Sequence, residues 1–205
     1  MFLGTVNFEM VSLKNYHSTS HNCILITKTK EQKMKRLLFM LFVVTCAQAQ
    51  EQKSLKSERD SLIAAAKEIM AAQKYCALAS IDSAGYPDVR TMNPFPPEED
   101  MSVWMATNTR SLKVQEIMKN PKVSLYYADH AKAIGNVTIT GTAVLVKDSM
   151  EIEKRKREYW KQAFPDWQYL VLIKVIPERL EVLNYKWGKF NGPVTWATPV
   201  VEYKK

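Results

Sequence analysis

The sequence has few of the residues that build covalent cross-links or metal centres. Its 205 residues include three cysteines and three histidines, and beyond residue 49 only Cys76 and His130 remain. A single cysteine cannot form an internal disulfide. A single histidine and a single cysteine also argue against a zinc site and against a Cys–His nucleophile, so we expect no metal centre.

Glycine and proline are also scarce, and neither sign of charge dominates the main part of the chain. Six glycines and nine prolines exclude collagen-like and linker-like sequences. Hydrophobic residues make up 46% and charged residues 24%, which excludes global disorder and allows a packed core. The formal net charge is +8, but residues beyond position 49 include 23 basic and 19 acidic side chains, a net charge of +4. This balance gives no reason to expect a nucleic-acid partner.

Residues 34–49 show the order of features that is typical of a secretory signal peptide. Lys35-Arg36 forms a short basic region, residues 37–44 form an apolar run, and Ala47-Gln48-Ala49 fits the small-x-small cleavage pattern. The apolar run is too short to span a bilayer, which needs about 20 residues. We therefore expect an exported, periplasmic protein; the alternative is that this segment is a buried helix.

The segment before Met34 shows no targeting pattern. Residues 1–33 are polar and aperiodic, so we expect them to be an upstream extension that results from a misassigned start codon. Residues 50–205 then form a single mature domain without a membrane span. Lipid attachment at Cys46 is an alternative, although Thr45 stands where a lipobox usually has Gly, Ala or Ser.

Hydrophobic periodicity predicts three helices and six strands in the mature chain. The helices are predicted over residues 51–73, 111–119 and 148–163. The strands are predicted over residues 75–81, 86–92, 101–107, 123–128, 136–146 and 169–183, the last interrupted near Pro177. Because the strands follow one another without long crossovers, we expect antiparallel pairing. The pattern therefore favours a mainly β (α+β) fold, a small barrel with peripheral helices.

The segment most informative for chemistry joins the third predicted strand to the helix that follows it. Residues 104–113, WMATNTRSLK, place hydroxyl groups and a lysine where a strand ends and a helix begins. Free backbone N–H groups and the positive end of the helix dipole make such a junction suited to a phosphate. Ser111 and Lys113 are the candidate ligands; the alternative is ordinary N-capping by Ser111 beside a solvated lysine.

Arg90 lies inside a predicted strand and needs a partner if its charge is buried. A phosphate bound nearby would supply that partner with bidentate geometry. The alternative is an arginine at an outward-facing position of the strand, in contact with solvent.

Four short motifs occur in a fixed order. They are Arg90-Thr91-Met92, Thr107-x-x-x-Ser111-x-Lys113, Asn120-Pro121-x-Val123 and Val137-x-Ile139-x-Gly141-x-Ala143. Together they resemble the pyridoxamine 5'-phosphate oxidase-like superfamily, and within it the general stress protein 26 branch of FMN-binding split barrels. The resemblance covers about residues 65–183.

The resemblance implies a six-stranded antiparallel split β-barrel with Greek-key connections, which forms a homodimer and holds FMN in clefts between the subunits. By position, the residues implied to contact FMN are Arg90, Ser111 and Lys113 at its phosphate, Thr91, Met92 and Thr107 along the ribityl chain and ring edge, and Asn136 supplied by the other subunit. The contacts of Thr91, Met92 and Thr107 are implied to be made largely by the backbone.

The sequence also departs from the oxidases at three places. Leu112 replaces a second basic residue before the lysine, although Arg110 is near enough to compensate. Leu183 stands where the oxidases have a tryptophan, and residues 185–190 contain no counterpart of the Arg-x-His pair that holds the substrate phosphate. Oxidation of pyridoxamine phosphate itself is therefore not expected.

These observations together predict an exported FMN-binding flavoprotein, an oxidoreductase that acts on an unidentified small molecule. No residue stands out as a catalytic acid or base. The alternative is a protein that binds flavin or haem without catalysis. The aromatic and basic segment 187–203 has two interpretations, a flap over the partner subunit's flavin or a cover for the barrel and the dimer seam.

Overall fold

The computed structural model describes residues 15–129 and 132–203. The chain divides into two units, Met1–Lys56 and Ser57–Lys205. In the first unit the described backbone is helical and forms the beginning of α1 (Asn15–Ala72). The first 14 residues of the predicted upstream extension lie outside the described residues. The helices within the described ranges include none with both the length and the apolar character needed to cross a membrane.

The second unit is built on one antiparallel sheet. Its strands are β1 (Cys76–Ile81), β2 (Pro87–Met92), β3 (Val103–Asn108), β4 (Lys122–Ala128), β5 (Gly135–Val146), β6 (Leu170–Asn184) and β7 (Val200–Glu202). Six strands follow the order β2-β1-β4-β5-β6-β3, and β7 pairs with β6. The sheet curls into a half-barrel, which confirms the predicted antiparallel split barrel with peripheral helices.

The core lies between this sheet and the last turns of α1. The buried helix residues recur at intervals of three and four positions and are Leu62, Ala65, Ala66, Ile69 and Met70. The sheet contributes alternate residues of its strands, among them Leu78, Leu125, Ile139, Val175, Leu180 and Val182, all fully buried. The helix predicted over residues 51–73 is thus amphipathic in its second half, and that half packs against the sheet.

The pairing of β5 with β6 shifts by one residue at Thr140 and Gly141. Gly141 lies opposite Pro177, and a Cβ atom at Gly141 would come within 2.0 Å of the Ile176 carbonyl oxygen. The proline, which has no N–H to donate, is accommodated by this irregularity. The interruption predicted near Pro177 is therefore a register shift within one continuous strand.

The remaining α-helices of the described chain are α2 (Leu112–Lys119), α3 (Ser149–Lys154) and α4 (Trp160–Ala163), and short 3-10 helices lie at Trp167–Tyr169 and Tyr185–Trp187. The prediction of a single helix over residues 148–163 is wrong, because the chain leaves the helix after Lys154. The guanidinium of Arg155 pairs with Glu98 at 2.6 Å and stacks on Trp104, with 3.8 Å from Cζ to the ring centroid. These tertiary contacts outweigh the local helical periodicity. The short strand β7 was not predicted either.

Candidate functional site

The predicted site lies where β3 ends and α2 begins. The Asn108 carbonyl accepts the Ser111 N–H at 3.0 Å, and the Asn108 side chain accepts the Arg110 N–H at 2.8 Å, which turns the chain directly into the helix. The Arg110 guanidinium stacks on the ring of Tyr169 at 3.5 Å and donates to its hydroxyl. Arg110 is therefore committed to Tyr169 and does not replace the basic residue missing at Leu112.

Three of the predicted site residues come together at this junction. The Lys113 ammonium donates to the Thr107 hydroxyl at 3.3 Å, and the Thr107 and Ser111 hydroxyl oxygens lie 3.4 Å apart. Thr107 is buried, whereas Ser111 and Lys113 are half-buried. Ser111 occupies the N-cap position of α2, but within the described part of the chain its hydroxyl makes no capping hydrogen bond. The three polar groups therefore retain hydrogen-bonding capacity for a ligand.

The electrostatic surroundings lower the pKa of Lys113 from its ordinary value. Burial, which disfavours the charged ammonium, is the largest cause, and the positive charge of Arg90 acts in the same direction. The carboxylates of Glu116 and Asp88 partly offset these effects. An anion bound beside Lys113 would favour the charged ammonium and so offset both effects.

Arg90 lies close enough to influence Lys113, but its guanidinium is already bound. Nη2 donates to Glu116 Oε1 at 2.8 Å and also to the Asp88 carboxylate, and Nη1 donates to the Ser80 hydroxyl at 2.6 Å. The Ser80 hydroxyl in turn donates to Glu116 Oε2 at 2.6 Å. The partner that an arginine in a strand requires is thus supplied by the protein itself.

Sequence reasoning missed Ser80, Asp88 and Glu116 as members of this cluster. Two spacings in the sequence could have identified the carboxylates. Glu116 follows Lys113 by three positions on α2, and Asp88 precedes Arg90 by two positions on β2, so each pair shares one face of its element. Ser80 could not be found this way, because its place beside Arg90 depends on the pairing of β1 with β2.

Thr91 and Met92 take different positions relative to the cluster. Alternation along β2 places Thr91 on the exposed face, opposite to Arg90, while Met92 is 7% exposed and belongs to the core. Thr91 pairs with Ala77 and Met92 with Cys76. The Thr91 side chain thus faces away from Arg90 and the Met92 side chain lies in the core, and contact of their backbone with FMN stays a prediction.

Asn136 lies in a different part of the sheet. It stands at the start of β5, paired with Ala128 on β4 and with Leu183 on β6, and it is half-buried. The cluster of Thr107, Ser111 and Lys113 lies instead at the end of β3. A contribution of Asn136 to the site from a second subunit stays a prediction.

Cys76 is buried in the core beneath Tyr127. Burial raises the pKa of its thiol to about 11, and an interaction with the Tyr127 hydroxyl only partly offsets this. The thiol is therefore protonated at neutral pH and unsuited to nucleophilic chemistry. Within residues 15–129 and 132–203, no group of three or more His, Cys, Asp or Glu residues is arranged to hold a metal ion.

The segment after β6 is attached to α1 of the same chain. The Trp187 indole N–H donates to Glu68 at 2.6 Å, and the Lys186 and Lys189 ammonium groups bind Glu68 and Glu58, each at 2.8 Å. These bonds lower the pKa of Glu68. Trp187 thus covers its own helix, whereas Trp196 is 75% exposed.

The chain belongs to the pyridoxamine 5'-phosphate oxidase family. The family model described as "Pyridoxamine 5'-phosphate oxidase" matches residues 62–184, more than half of the chain. The match begins in the buried part of α1 and ends with β6, so it spans the split barrel and the Lys113 cluster. No curated protein matches the sequence.

Solved structures with the same fold include general stress protein 26 and related proteins. A protein related to general stress protein 26 from Clostridium acetobutylicum is 18% identical, with 70% of this chain and 95% of that chain covered and a TM-score of 0.57. General stress protein 26 from Bacillus anthracis str. Sterne is 22% identical, with 61% and 92% covered and a TM-score of 0.51. A heme binding protein from Mycobacterium smegmatis is 12% identical, with 67% and 56% covered and a TM-score of 0.50. These likenesses concern the fold.

Proposed function

We propose that this chain is an exported, periplasmic flavoprotein that binds FMN and acts as an oxidoreductase on a small molecule other than pyridoxamine 5'-phosphate. The observation that supports it best is the cluster of Thr107, Ser111 and Lys113 at the N-terminus of α2. A half-buried ammonium, two hydroxyl groups and the first N–H groups of a helix form a donor set suited to a phosphate monoester.

The donor set fits the phosphate of FMN in chemistry and in charge. Lys113 would supply the positive charge, and Ser111 and Thr107 would supply hydroxyl groups. The hydroxyl of Ser111 is available because it does not cap α2 among the described residues. Met92 and Thr91, on β2, would contribute backbone groups along the flavin.

Bound FMN supplies hydride or electron transfer, and the protein contributes binding, orientation and electrostatics. In this chain Lys113 would hold the phosphate end of the cofactor. Residues 185–190 lack an Arg-x-His pair, and Lys186 of this segment is bound to Glu68. For this reason we propose a substrate other than pyridoxamine 5'-phosphate.

The functional unit that we propose is a homodimer, with Asn136 of each chain directed at the flavin of the other. The family supports this proposal, and so does the position of Asn136. Asn136 pairs with Leu183 at the end of β6, whereas Asn108, beside the Lys113 cluster, pairs with Leu170 at the start of β6.

The alternative is a protein that binds flavin or haem without turnover. It is favoured by the missing substrate pair and by the likeness of fold to a protein named as heme binding. Reduction of the bound cofactor by NADH or NADPH, followed by reoxidation in air, separates the two. We expect both steps for the oxidoreductase and neither for a binding protein.

The phosphate assignment is tested by titrating the full chain with FMN and following quenching of flavin fluorescence. Lys113→Gln removes the charge that faces the phosphate, so we expect FMN binding to weaken by about tenfold or more. Lys119→Gln, which removes an exposed lysine from the last turn of the same helix, is the matched control and leaves the dissociation constant within about twofold. Equal affinities of Lys113→Gln and the wild type would contradict the assignment.

A further inference from the structure

Arg90 is the residue that position alone assigns to the phosphate, and its bonds in this chain point to another role. Both terminal nitrogens of its guanidinium are occupied. Nη1 donates to Ser80 Oγ at 2.6 Å and to the Asp88 carbonyl at 3.4 Å, and Nη2 donates to Glu116 at 2.8 Å and to the Asp88 carboxylate. A guanidinium bound in this way has no free fork for bidentate contact with a phosphate.

Arg90 and Glu116 form a buried ion pair, and with Ser80, which bonds to both, they connect three elements. The two side chains are 17% and 10% exposed, and Ser80 is fully buried. Arg90 lies on β2, Ser80 on β1 and Glu116 on α2. Breaking a buried pair leaves an uncompensated charge, so the pair is expected to fix α2 against the two strands.

The same pair sets the net charge that a ligand meets. Arg90 and Lys113 are positive, Asp88 and Glu116 are negative, and the cluster is therefore neutral before a ligand binds. With the described residues, the Lys113 ammonium makes one hydrogen bond, at 3.3 Å to Thr107, whereas the Arg90 guanidinium makes four.

We propose that Arg90 and Glu116 act as a neutral buried pair that positions α2, and that Lys113 with Ser111, rather than Arg90, binds the anionic group of the ligand. Arg90 is then a positioning residue. Glu116 is a specificity-determining residue, because its charge limits the preference of the site for a doubly charged phosphate over a neutral ligand. This inference rests on the proposed function and names the residues of that site which carry charge recognition.

The test compares binding of FMN and of riboflavin, which lacks the phosphate, to the full chain and its variants. Glu116→Gln keeps the size of Glu116 and one of its two acceptor oxygens but removes its charge, which leaves Asp88 as the carboxylate partner of Arg90. The site then carries one more net positive charge, so FMN binding is expected to tighten by about fivefold or more. Arg90→Gln leaves Glu116 uncompensated and weakens FMN binding by a similar factor. Riboflavin binding changes by less than about twofold in both variants, since no charge on the ligand is involved.

The double variant Arg90→Gln with Glu116→Gln decides between the two roles of Arg90. It removes one charge of each sign, so the inference predicts FMN binding within about threefold of the wild type. Direct contact of Arg90 with the phosphate predicts instead a loss as large as that of Lys113→Gln, and this result would overturn the inference. Glu99→Gln, which removes an exposed loop carboxylate, controls for the change in total charge. Thermal melting without ligand verifies that each variant is folded. If a single variant does not fold, the comparison of the double variant with Lys113→Gln tests the inference.

Inorganic phosphate serves as a second probe, so that the inference does not depend on flavin. Phosphate is titrated into the protein while the Lys113 side-chain NMR signals are followed. A shift that persists in the double variant supports the inference, and the absence of a shift in the wild type overturns it. Failure of wild-type protein to bind FMN, with phosphate still shifting Lys113, would contradict the proposed function alone.

Discussion

At the scale of single residues, the site is defined by how charge is balanced around Lys113. Its ammonium is half-buried and near Arg90, and both features disfavour the charged form. Arg90 is itself neutralised by Glu116 and Asp88. Among the described residues of the site, Lys113 is therefore the cation that has no direct carboxylate partner, and an anion is stabilised most by binding beside it.

The lowered pKa of Lys113 predicts a specific pH dependence of FMN binding. The ammonium must be protonated to attract the phosphate, so affinity is constant at neutral pH and falls as the pH rises through the pKa of Lys113 in the free protein. That pKa lies below the 10.5 of an unperturbed lysine. Lys113→Arg keeps its charge to higher pH and should extend the plateau.

Titration of the full chain with FMN at a series of pH values measures this dependence. Riboflavin, measured in parallel, corrects for titration of the flavin ring. The same pH profile for the wild type and for Lys113→Arg would show that another group controls binding.

At the scale of elements, the register shift between β5 and β6 lets the longest strand pair of the barrel accommodate Pro177. Gly141 is required there for space. A methyl group would meet the Ile176 carbonyl at 2.0 Å, and a backbone atom cannot move aside as a flexible side chain can. Gly85 differs, because its φ of +91° is unfavourable for other residues but its surroundings are open.

This contrast gives a paired prediction for stability. Gly141→Ala should lower the free energy of unfolding by about 3 kcal/mol, since β5 and β6 must separate locally. Gly85→Ala should cost about 1 kcal/mol, from backbone conformation alone. Urea denaturation of the full chain measures both. Equal losses in the two variants would contradict the explanation by close approach.

The elements that could be predicted from the sequence are those with strong local patterns. The alternation of residues in β5 and the Asn120-Pro121 pair that ends α2 predict the bounds of these two elements to within a residue or two. The break between α3 and α4 could not be predicted, because it follows from contacts of Arg155 with Glu98 and Trp104, which are distant in sequence. The three residues of β7 are too few for a periodic signal.

The same limit applies to the site. Ser111 and Lys113 could be proposed because a strand end, a hydroxyl group and a helix start are adjacent in the sequence. The pairing of Arg90 with Glu116 could not be predicted, because Glu116 reaches Arg90 only when α2 packs beside β1 and β2. A phosphate and a carboxylate can each satisfy a buried guanidinium.

At the scale of the whole molecule, we assign cofactor binding to the barrel and export to residues 34–49. The family match starts at residue 62, and the buried core starts with Leu62. Residues 34–49 lie before both, and we propose that they direct export and are then removed.

Export predicts a defined N-terminus for the mature protein. Mass spectrometry of the protein from the periplasm should find a chain that begins near residue 50. Ala49→Phe places a large residue at the proposed cleavage site and should leave the precursor intact, whereas Gln48→Ser, at the variable position, should not. A mature chain that still contains residues 34–49 would contradict the signal peptide.

The central claim, that this barrel binds FMN, is tested most directly by the visible absorption spectrum of the protein purified from its native cells. Our account predicts flavin absorption, with FMN released in a one-to-one ratio to the chain on denaturation and identified by mass spectrometry. A protein that carries haem, or one that is colourless and remains so after incubation with FMN, would contradict it.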